Sequence, residues 1–150
     1  MIYIRRLSVG KLKTNCYLVI DEGKCIIIDP GDDADYIQRI IADEGIQPLK
    51  IVATHGHYDH ILAASELKLA YGIPFLMRKE DEFLLSRMKS SAGHFLGIKT
   101  DLRPEVDEYL KPKDSLFIIH HSLFIIETPG HTPGSITLYS KQGKIAFVGD

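Results

Sequence analysis

The sequence has few of the features that mark membrane, secreted or nucleic-acid-binding proteins. Nowhere do 18 apolar residues run together, and the first residues lack the apolar core of a signal peptide. Lysine and arginine total 18 against 20 acidic residues, with a net charge of −2 and no basic run. The electrostatic footprint of nucleic-acid binding is therefore absent. We expect neither a membrane nor a nucleic acid as a partner.

Cysteine is scarce as well. The two cysteines, Cys16 and Cys25, form no C-x-x-C motif and lie inside apolar runs that are typical of strands. Such a pattern favours buried free thiols in a reducing, cytoplasmic setting over a disulfide. Neither cysteine has an evident activating base nearby, so we expect no thiol nucleophile.

The remaining composition is that of an ordinary globular protein. The 150 residues are 45% hydrophobic and 25% charged, without a low-complexity segment or a linker. This length is typical of one domain that buries a sizeable core. We therefore treat residues 1–150 as a single domain.

The most informative stretch is 54–60, with the sequence Thr-His-Gly-His-Tyr-Asp-His. It follows the apolar run 49–53, which is typical of a buried strand, so it lies at the strand's carboxyl end, where α/β folds usually place chemistry. Imidazole and carboxylate groups suit zinc, iron and manganese. The pattern predicts a metal-binding loop rather than a merely solvated one.

Strand patterns outnumber helix patterns, and the two kinds are interspersed. Strands are predicted at 2–7, 15–20, 25–28, 49–54 and 73–77, hairpins at 116–126 and 135–148, and helices at 34–45, 61–71 and 79–89. Residues 90–112 are predicted to be a long connection. Periodicity alone therefore indicates an α/β or α+β fold with two sheets.

Five blocks of the sequence, taken in order, resemble the metallo-β-lactamase superfamily. Besides residues 54–60, they are 14–19 (Thr-Asn-Cys-Tyr-Leu-Val), 29–31 (Asp-Pro-Gly), 128–135 (Thr-Pro-Gly-His-Thr-Pro-Gly-Ser) and 148–150 (Val-Gly-Asp). Their details are most similar to the glyoxalase II-like branch, which hydrolyses thioesters. The resemblance implies a four-layer αββα sandwich, with two sheets face to face and helices outside.

The same resemblance implies a metal centre that performs hydrolysis. The implied ligands are His55, His57 and His131 for one metal, Asp59 and His60 for a second, and Asp150 as a bridge between them. Zinc is the expected metal, with two ions in a complete domain and one in this chain, and iron or manganese are alternatives. Three imidazoles with an open position suit a catalytic zinc, whose bound hydroxide would attack a small-molecule thioester or related acyl bond. Asp59 would be catalytic, since it would both ligate and orient the nucleophile.

One departure from the family pattern is large. The superfamily's motifs continue past the Gly-Asp pair to a further histidine, and this sequence has no counterpart to it. We therefore expect a sandwich that lacks its C-terminal part, with apolar surface exposed near residues 135–148 and self-association through the uncovered second sheet.

Two other functions stay open on the sequence. A persulfide dioxygenase would hold one iron with His55, His131 and Asp150, a facial triad. A catalytically incompetent metal-binding fragment is the other. Among the remaining histidines, His120 and His121 are expected to be solvated at a hairpin tip, and His94 either to pack in the long connection or to line a substrate mouth.

Overall fold

The computed structural model describes residues 1–97 and 103–150. Six strands form the first sheet: β1 (Tyr3–Val9), β2 (Thr14–Asp21), β3 (Lys24–Ile28), β4 (Gln47–Val52), β5 (Phe75–Met77) and β6 (Glu108–Tyr109). Their spatial order follows the sequence; β1, β2 and β3 pair antiparallel, whereas β3 to β6 pair in parallel. The two-residue strand β6 has no apolar pattern, and the sequence did not predict it.

Four further strands form the second sheet, which is antiparallel throughout. They are β7 (Ser115–Ile118), β8 (His121–Glu127), β9 (Ile136–Ser140) and β10 (Ile145–Phe147). Their order is β10-β9-β8-β7, so consecutive strands are neighbours. Both predicted hairpins are therefore present.

The helices are α1 (Ala34–Asp43), α2 (Ala64–Tyr71) and α3 (Glu82–Leu96), with 3₁₀ turns at Tyr58–His60 and Lys79–Asp81. Helix α3 continues to Leu96, so the first residues of the predicted long connection are helical instead. Residues 98–102 of that connection lie outside the described residues. Within the described residues, no helix is long and apolar enough to cross a membrane.

The local sequence pattern predicts a side-chain cap by Asp32 or Asp33 at the start of α1 and a buried Phe83 in α3, and the structure differs in both places. Neither Asp32 nor Asp33 caps α1; Asp33 has a φ of 55° and its Oδ2 accepts a hydrogen bond from the Gly10 amide at 2.8 Å. The Asp33 side chain therefore bonds to the turn between β1 and β2 and not to the start of the helix. Phe83, expected on the buried side of α3, is 45% exposed, and Leu85, Met88 and Ala92 are buried in its place.

The centre of the fold is β3, whose four apolar residues 25–28 are all fully buried. Because side chains alternate across a strand, Cys25 and Ile27 belong to the core between the first sheet and the helices, whereas Ile26 and Ile28 belong to the core between the two sheets. Truncating such a side chain to alanine costs about 2–5 kcal/mol. The stable double core fixes the strand ends from which the site is built.

The outer face of the second sheet carries large apolar side chains in solvent. The exposed ones are Phe117 at 68%, Phe124 at 40%, Ile126 at 38% and Tyr139 at 36%. Val148 follows at 62%, so the predicted apolar surface near residues 135–148 is present and extends onto β7 and β8. Self-association through this face stays a prediction.

Candidate metal centre

The candidate ligands lie on three loops that meet at one end of the sheets. Residues 53–60 follow β4, His131 lies between β8 and β9, and Asp150 follows β10. In each of three groups, one nitrogen or oxygen per side chain lies within 4.8 Å of the others. The groups are His55, His57 and His131; Asp59, His60 and Asp150; and Asp29, His55 and His60. The structure thus gathers all six side chains that the sequence singled out.

In the first group the three imidazoles face one another edge to face. Ring centroids lie 5.0 Å apart for His55 and His57, 5.0 Å for His55 and His131, and 4.6 Å for His57 and His131. His57 Nδ1 lies 2.9 Å from His131 Nε2. The Nε2 atom of His55 is buried and has no hydrogen-bond partner in the part of the chain that the structure describes. A buried nitrogen without a partner is costly unless something binds it, and a metal ion would.

In the second group the carboxylate of Asp150 lies between His60 and His131. Asp150 Oδ1 lies 3.1 Å from His60 Nε2, and Asp150 Oδ2 lies 3.8 Å from His131 Nε2. Asp59 Oδ2 lies 3.6 Å from the same His60 nitrogen. The two oxygens of Asp150 therefore face different groups, which is the placement a bridging carboxylate needs.

The third group contains Asp29, which is better described as a support than as a ligand. Its Oδ1 accepts a hydrogen bond from the Thr54 amide at 2.7 Å; its Oδ2 accepts one from the Thr54 hydroxyl at 2.7 Å and lies 2.9 Å from His60 Nδ1. Both oxygens are thus engaged. Carboxylates in this position fix the tautomer and orientation of the imidazole they contact.

These contacts determine which ring nitrogens are free. The single hydroxyl hydrogen of Thr54 goes to Asp29, so the contact of 3.0 Å between Thr54 Oγ1 and His55 Nδ1 must be donated by the ring. The Nε2 of His55 then carries the lone pair. Likewise His60 donates from Nδ1 to Asp29, and its Nε2 points toward Asp59 and Asp150. Both rings present Nε2 to the centre.

The electrostatics also suit a cation. Burial, together with the charge of His60, lowers the pKa of His55 to about 4, and burial followed by the charge of His131 lowers that of His57. Burial alone would lower the pKa of His60, but its hydrogen bond to Asp29 and the surrounding carboxylates raise it to about 9. The rings of His55 and His57 are therefore neutral at pH 7 and can offer a lone pair to a metal. The carboxylates around His60, in contrast, favour a positive charge at that position. The residues present fit a metal ion.

A residue that the sequence reasoning missed, Asp81, joins the two histidine loops. Its Oδ2 accepts hydrogen bonds from the Gly56 amide at 2.9 Å and the Thr132 hydroxyl at 2.6 Å, and its Oδ1 accepts one from the Gly134 amide at 2.7 Å. A Cβ on Gly134 would lie 2.6 Å from Asp81 Cγ, and one on Gly56 would lie 2.9 Å from Asp81 O. Both loops therefore need glycine at these positions. No signal in the sequence marks Asp81, since its partners are 25 or more positions away.

The other sequence expectations have mixed outcomes. Both cysteines are free and buried, as predicted, and burial raises the pKa of Cys25 to about 12 and that of Cys16 well above its usual value. His94 is exposed near the end of α3, against Phe95. His121 is not simply solvated: its Nδ1 lies 2.9 Å from Asp21 Oδ2 and its side chain is 15% exposed. The hairpin tip packs against the end of β2, which local pattern cannot reveal.

Known proteins of two kinds resemble this chain in sequence. A probable metallo-hydrolase of Bacillus subtilis, YqgX, is 34% identical over 147 residues, covering 97% of this chain and 69% of that protein. The hydroxyacylglutathione hydrolase GloC of Haemophilus influenzae is 32% identical over 155 residues, covering 98% of this chain and 70% of that protein.

Solved structures agree with these relatives. The B3 metallo-β-lactamase BLEG-1 superposes with a TM-score of 0.88 at 26% identity, covering 97% of this chain and 71% of that chain. TTHA1623, solved in a di-iron-bound form, gives 0.87 at 28% identity, covering 96% and 70%. The mixed α/β fold with two sheets is thus that of known metallo-β-lactamase folds.

The family model of the metallo-β-lactamase superfamily matches residues 9–150, which include all the candidate ligands. Sequence relatives, superposed structures and the gathered imidazole and carboxylate groups agree with that match. This chain belongs to the metallo-β-lactamase superfamily, whose members are generally metal-dependent hydrolases.

Proposed function

We propose that this protein is a metal-dependent hydrolase of thioesters or related acyl bonds, with zinc as its metal. One observation carries the proposal: His55, His57 and His131 each place one ring nitrogen within 4.8 Å of the others, and the buried Nε2 of His55 has no hydrogen-bond partner among residues 1–97 and 103–150. Three imidazoles are the donor set of a catalytic zinc with an open position. The similarity to a hydroxyacylglutathione hydrolase supports the thioester as the bond attacked.

The residues have separate roles in this proposal. His55, His57 and His131 would hold the first cation, Asp59 and His60 would hold the second, and Asp150 would contribute to both. When bound, the cations supply Lewis acidity, which lowers the pKa of a coordinated water and polarises a carbonyl oxygen.

Asp59 has the catalytic role. Its side chain is 20% exposed and lines a cavity of about 240 Å³ beside His60 and Asp150. A carboxylate there orients the attacking water by accepting one of its hydrogens. The water oxygen bonds to the acyl carbon, the carbon–sulfur bond breaks, and the sulfur leaves as a thiolate that takes up the released proton. The products are a carboxylic acid and a thiol.

Metal content and activity measured on one sample test the proposal. A chelator-treated sample should lose hydrolysis of S-lactoylglutathione, and reloading with zinc should restore it in proportion to the metal bound. Metal-loaded protein that hydrolyses neither this nor a simpler thioester would contradict the proposal.

A mutational test separates this mechanism from a thiol mechanism. Asp59→Ala should lower turnover about 100-fold or more, the range of a general base or orienting carboxylate. Cys25→Ala should leave turnover nearly unchanged, because the thiol is fully buried and the pKa of Cys25 is raised to about 12. Inactivation of a folded Cys25→Ala protein would indicate a thiol nucleophile.

The two metal positions should differ in affinity. The first has three imidazoles to itself, whereas the second has Asp59, His60 and a share of Asp150. We therefore expect one tightly held metal per chain. Elemental analysis that finds two equivalents after gel filtration would contradict this.

An iron persulfide dioxygenase based on His55, His131 and Asp150 is the competing activity. The presence of His57, Asp59 and His60 beside this triad does not separate the two activities. The di-iron form of TTHA1623 makes iron worth testing. Oxygen uptake with glutathione persulfide by iron-loaded protein, without thioester hydrolysis, would favour the dioxygenase.

A further inference from the structure

We propose that Lys13 recognises a carboxylate on the substrate, so that the protein selects thioesters that carry a negative charge. The inference rests on the proposed hydrolase function and names the class of its substrate. Nothing in the motifs that define the metal centre points to Lys13. Its position beside the centre is visible only in the folded chain.

Lys13 and three of the candidate metal ligands line the same cavity, which has a volume of about 240 Å³. It is lined by the ligand candidates Asp59, His60 and Asp150 and by the turn between β1 and β2, including Lys13. A substrate whose acyl carbon reaches the centre therefore lies in the same cavity as Lys13. Among the described residues that line it, Lys13 is the one lysine or arginine.

Lys13 lines this cavity as the last residue of the turn that precedes β2, where its φ is 53°. It is exposed, as is Asn15 on β2, whereas Thr14, Cys16 and Leu18 are buried. Asn15 and Tyr17 line the cavity with Lys13. Tyr17 is held in place by an edge contact with Phe147, at 5.1 Å between ring centroids. The cavity thus has a cation, an amide and an aromatic wall on one face.

The turn that carries Lys13 is anchored without using its ammonium group. The Gly10 amide donates to Asp33 at 2.8 Å, and Lys11 Nζ donates to the Leu96 carbonyl at 3.2 Å. Lys13 contributes only its backbone amide, which donates to the Gly10 carbonyl at 3.2 Å. Within residues 1–97 and 103–150, Lys13 Nζ makes no hydrogen bond or ion pair, so it is available to a ligand.

Charge decides what that ligand is. Asp29, Asp59 and Asp150 also line the cavity, and they are engaged with the histidines or reserved for cations. A cationic substrate group would meet Lys13 as a like charge, whereas a carboxylate would gain a charge-assisted hydrogen bond. A neutral substrate would gain only a weaker hydrogen bond from it, without the attraction between opposite charges. A carboxylate-bearing thioester is therefore the class that fits.

Three thioesters of N-acetylated thiols test the inference. S-acetyl-N-acetylcysteamine is neutral, S-acetyl-N-acetylcysteine carries a carboxylate on the thiol side, and S-succinyl-N-acetylcysteamine carries one on the acyl side. With zinc-loaded Lys13→Gln, the KM of at least one anionic substrate should rise about tenfold, the ratio expected for one charge-assisted contact. The KM of the neutral substrate should rise much less, and Lys13→Arg should restore most of the lost affinity.

Lys144→Gln is the matched control. Lys144 is an exposed lysine with a φ of 52°, against 53° for Lys13, and it lies in the turn before β10. A substitution there changes the same charge on the same backbone conformation, at the other end of the strand from Asp150. It should leave all three substrates unchanged. Equal losses for neutral and anionic substrates in Lys13→Gln, or no loss for any, would overturn the inference.

A binding measurement separates failure of this inference from failure of the proposed function. If the zinc-loaded protein hydrolyses none of the three thioesters, the hydrolase proposal fails. Calorimetry with the thioethers S-ethyl-N-acetylcysteine and S-ethyl-N-acetylcysteamine then decides the question without turnover. Tighter binding of the anionic thioether, lost in Lys13→Gln, would support recognition by Lys13, and equal binding of both would exclude it.

Discussion

Two clusters of histidines and carboxylates lie at opposite ends of the first sheet, and among the described residues only one gathers three donor atoms within 4.8 Å of one another. The metal centre follows the carboxyl end of β4, whereas Asp21, Glu22, His120 and His121 meet where β2 ends and β3 begins. Because β3 and β4 are parallel, these are different ends. The residue types are the same in both places.

The difference lies in what each imidazole contacts. At the Asp21 end the contacts are one to one: His121 Nδ1 lies 2.9 Å from Asp21 Oδ2, and His120 Nε2 lies 3.2 Å from Glu22 Oε1. At the candidate metal centre Thr54 and Asp29 contact the Nδ1 atoms of His55 and His60. The Nε2 of His55 has no hydrogen-bond partner among the described residues, and the Nε2 of His60 lies toward Asp59 and Asp150. The two clusters therefore differ in the supports that hold each ring by Nδ1, and not in histidine count.

Removing a ligand should have the largest effect. His57→Ala takes away one of three imidazoles of the first group, and the tightly held metal should be lost. The loss should exceed the roughly 10–100-fold expected for a residue that only supports a ligand. Elemental analysis after gel filtration measures it, and His120→Ala, in the other cluster, should retain full metal. Equal metal content in both variants would remove the distinction between the clusters.

The carboxylate that joins the histidine loops should come next. Asp81→Ala removes three hydrogen bonds from a side chain that is fully buried and leaves two loop amides without their partner. We expect about 3 kcal/mol less free energy of unfolding, at roughly 1 kcal/mol for each bond. Urea denaturation of the metal-free protein measures it. Thr132→Val removes one of the three bonds and also the contact of the same hydroxyl with Ser135 Oγ at 2.8 Å, and it should cost about 1–2 kcal/mol. An equal cost for both variants would contradict the shared role of Asp81.

Weakening a support should reduce metal affinity without abolishing it. Asp29→Asn keeps the shape of the side chain but loses the charge that orients His60, so we expect a roughly 10–100-fold weaker affinity for zinc. Competition with a chromophoric chelator gives the value. Asp21→Asn makes the same change at the other end and should leave zinc affinity unaltered. A similar loss in both would indicate a general effect of charge.

The smallest effect is the pH dependence of the Asp21 cluster. A hydrogen bond with His121 and one from the His120 amide lower the pKa of Asp21 below its usual value of 3.8. A carboxyl group with a lowered folded-state pKa stabilises the fold above its unfolded pKa, and this stability is lost as the pH falls through the folded pKa. Asp21→Asn should therefore cost about 1 kcal/mol at pH 6 and less below about pH 4.

Urea titrations of metal-free protein between pH 3 and pH 7 would measure this difference. Glu22→Gln is the control, because Glu22 contacts His120 while 61% exposed, and exposed ion pairs contribute little. A constant difference between the wild type and Asp21→Asn at every pH would mean that the Asp21 carboxyl group does not titrate differently in the folded state.

Local patterns predicted the fold to a useful degree. The apolar run 25–28 predicted the strand β3, and all four of these residues are fully buried in the structure. The end of α3 and the two-residue strand β6 escaped prediction, because the first continues through weakly patterned residues and the second is defined by its pairing with β5. Pairing with a neighbour far along the chain leaves no periodic signal.

The sequence by itself determined the residue types of the centre, since His55, His57, Asp59 and His60 fall within six positions after an apolar strand. It could not decide what surrounds them. Asp81 accepts hydrogen bonds from two loops that lie 25 and 53 positions away in the sequence. Lys13 and Asp150 line the same cavity although they are near opposite ends of the sequence. Asp21 and His121 meet across 100 positions. Which groups can bind a metal follows from the residue types, and these can be read directly from the sequence. Which ring nitrogen each support contacts, which loops Asp81 joins and which lysine lines the cavity depend on distances that exist only in the folded chain.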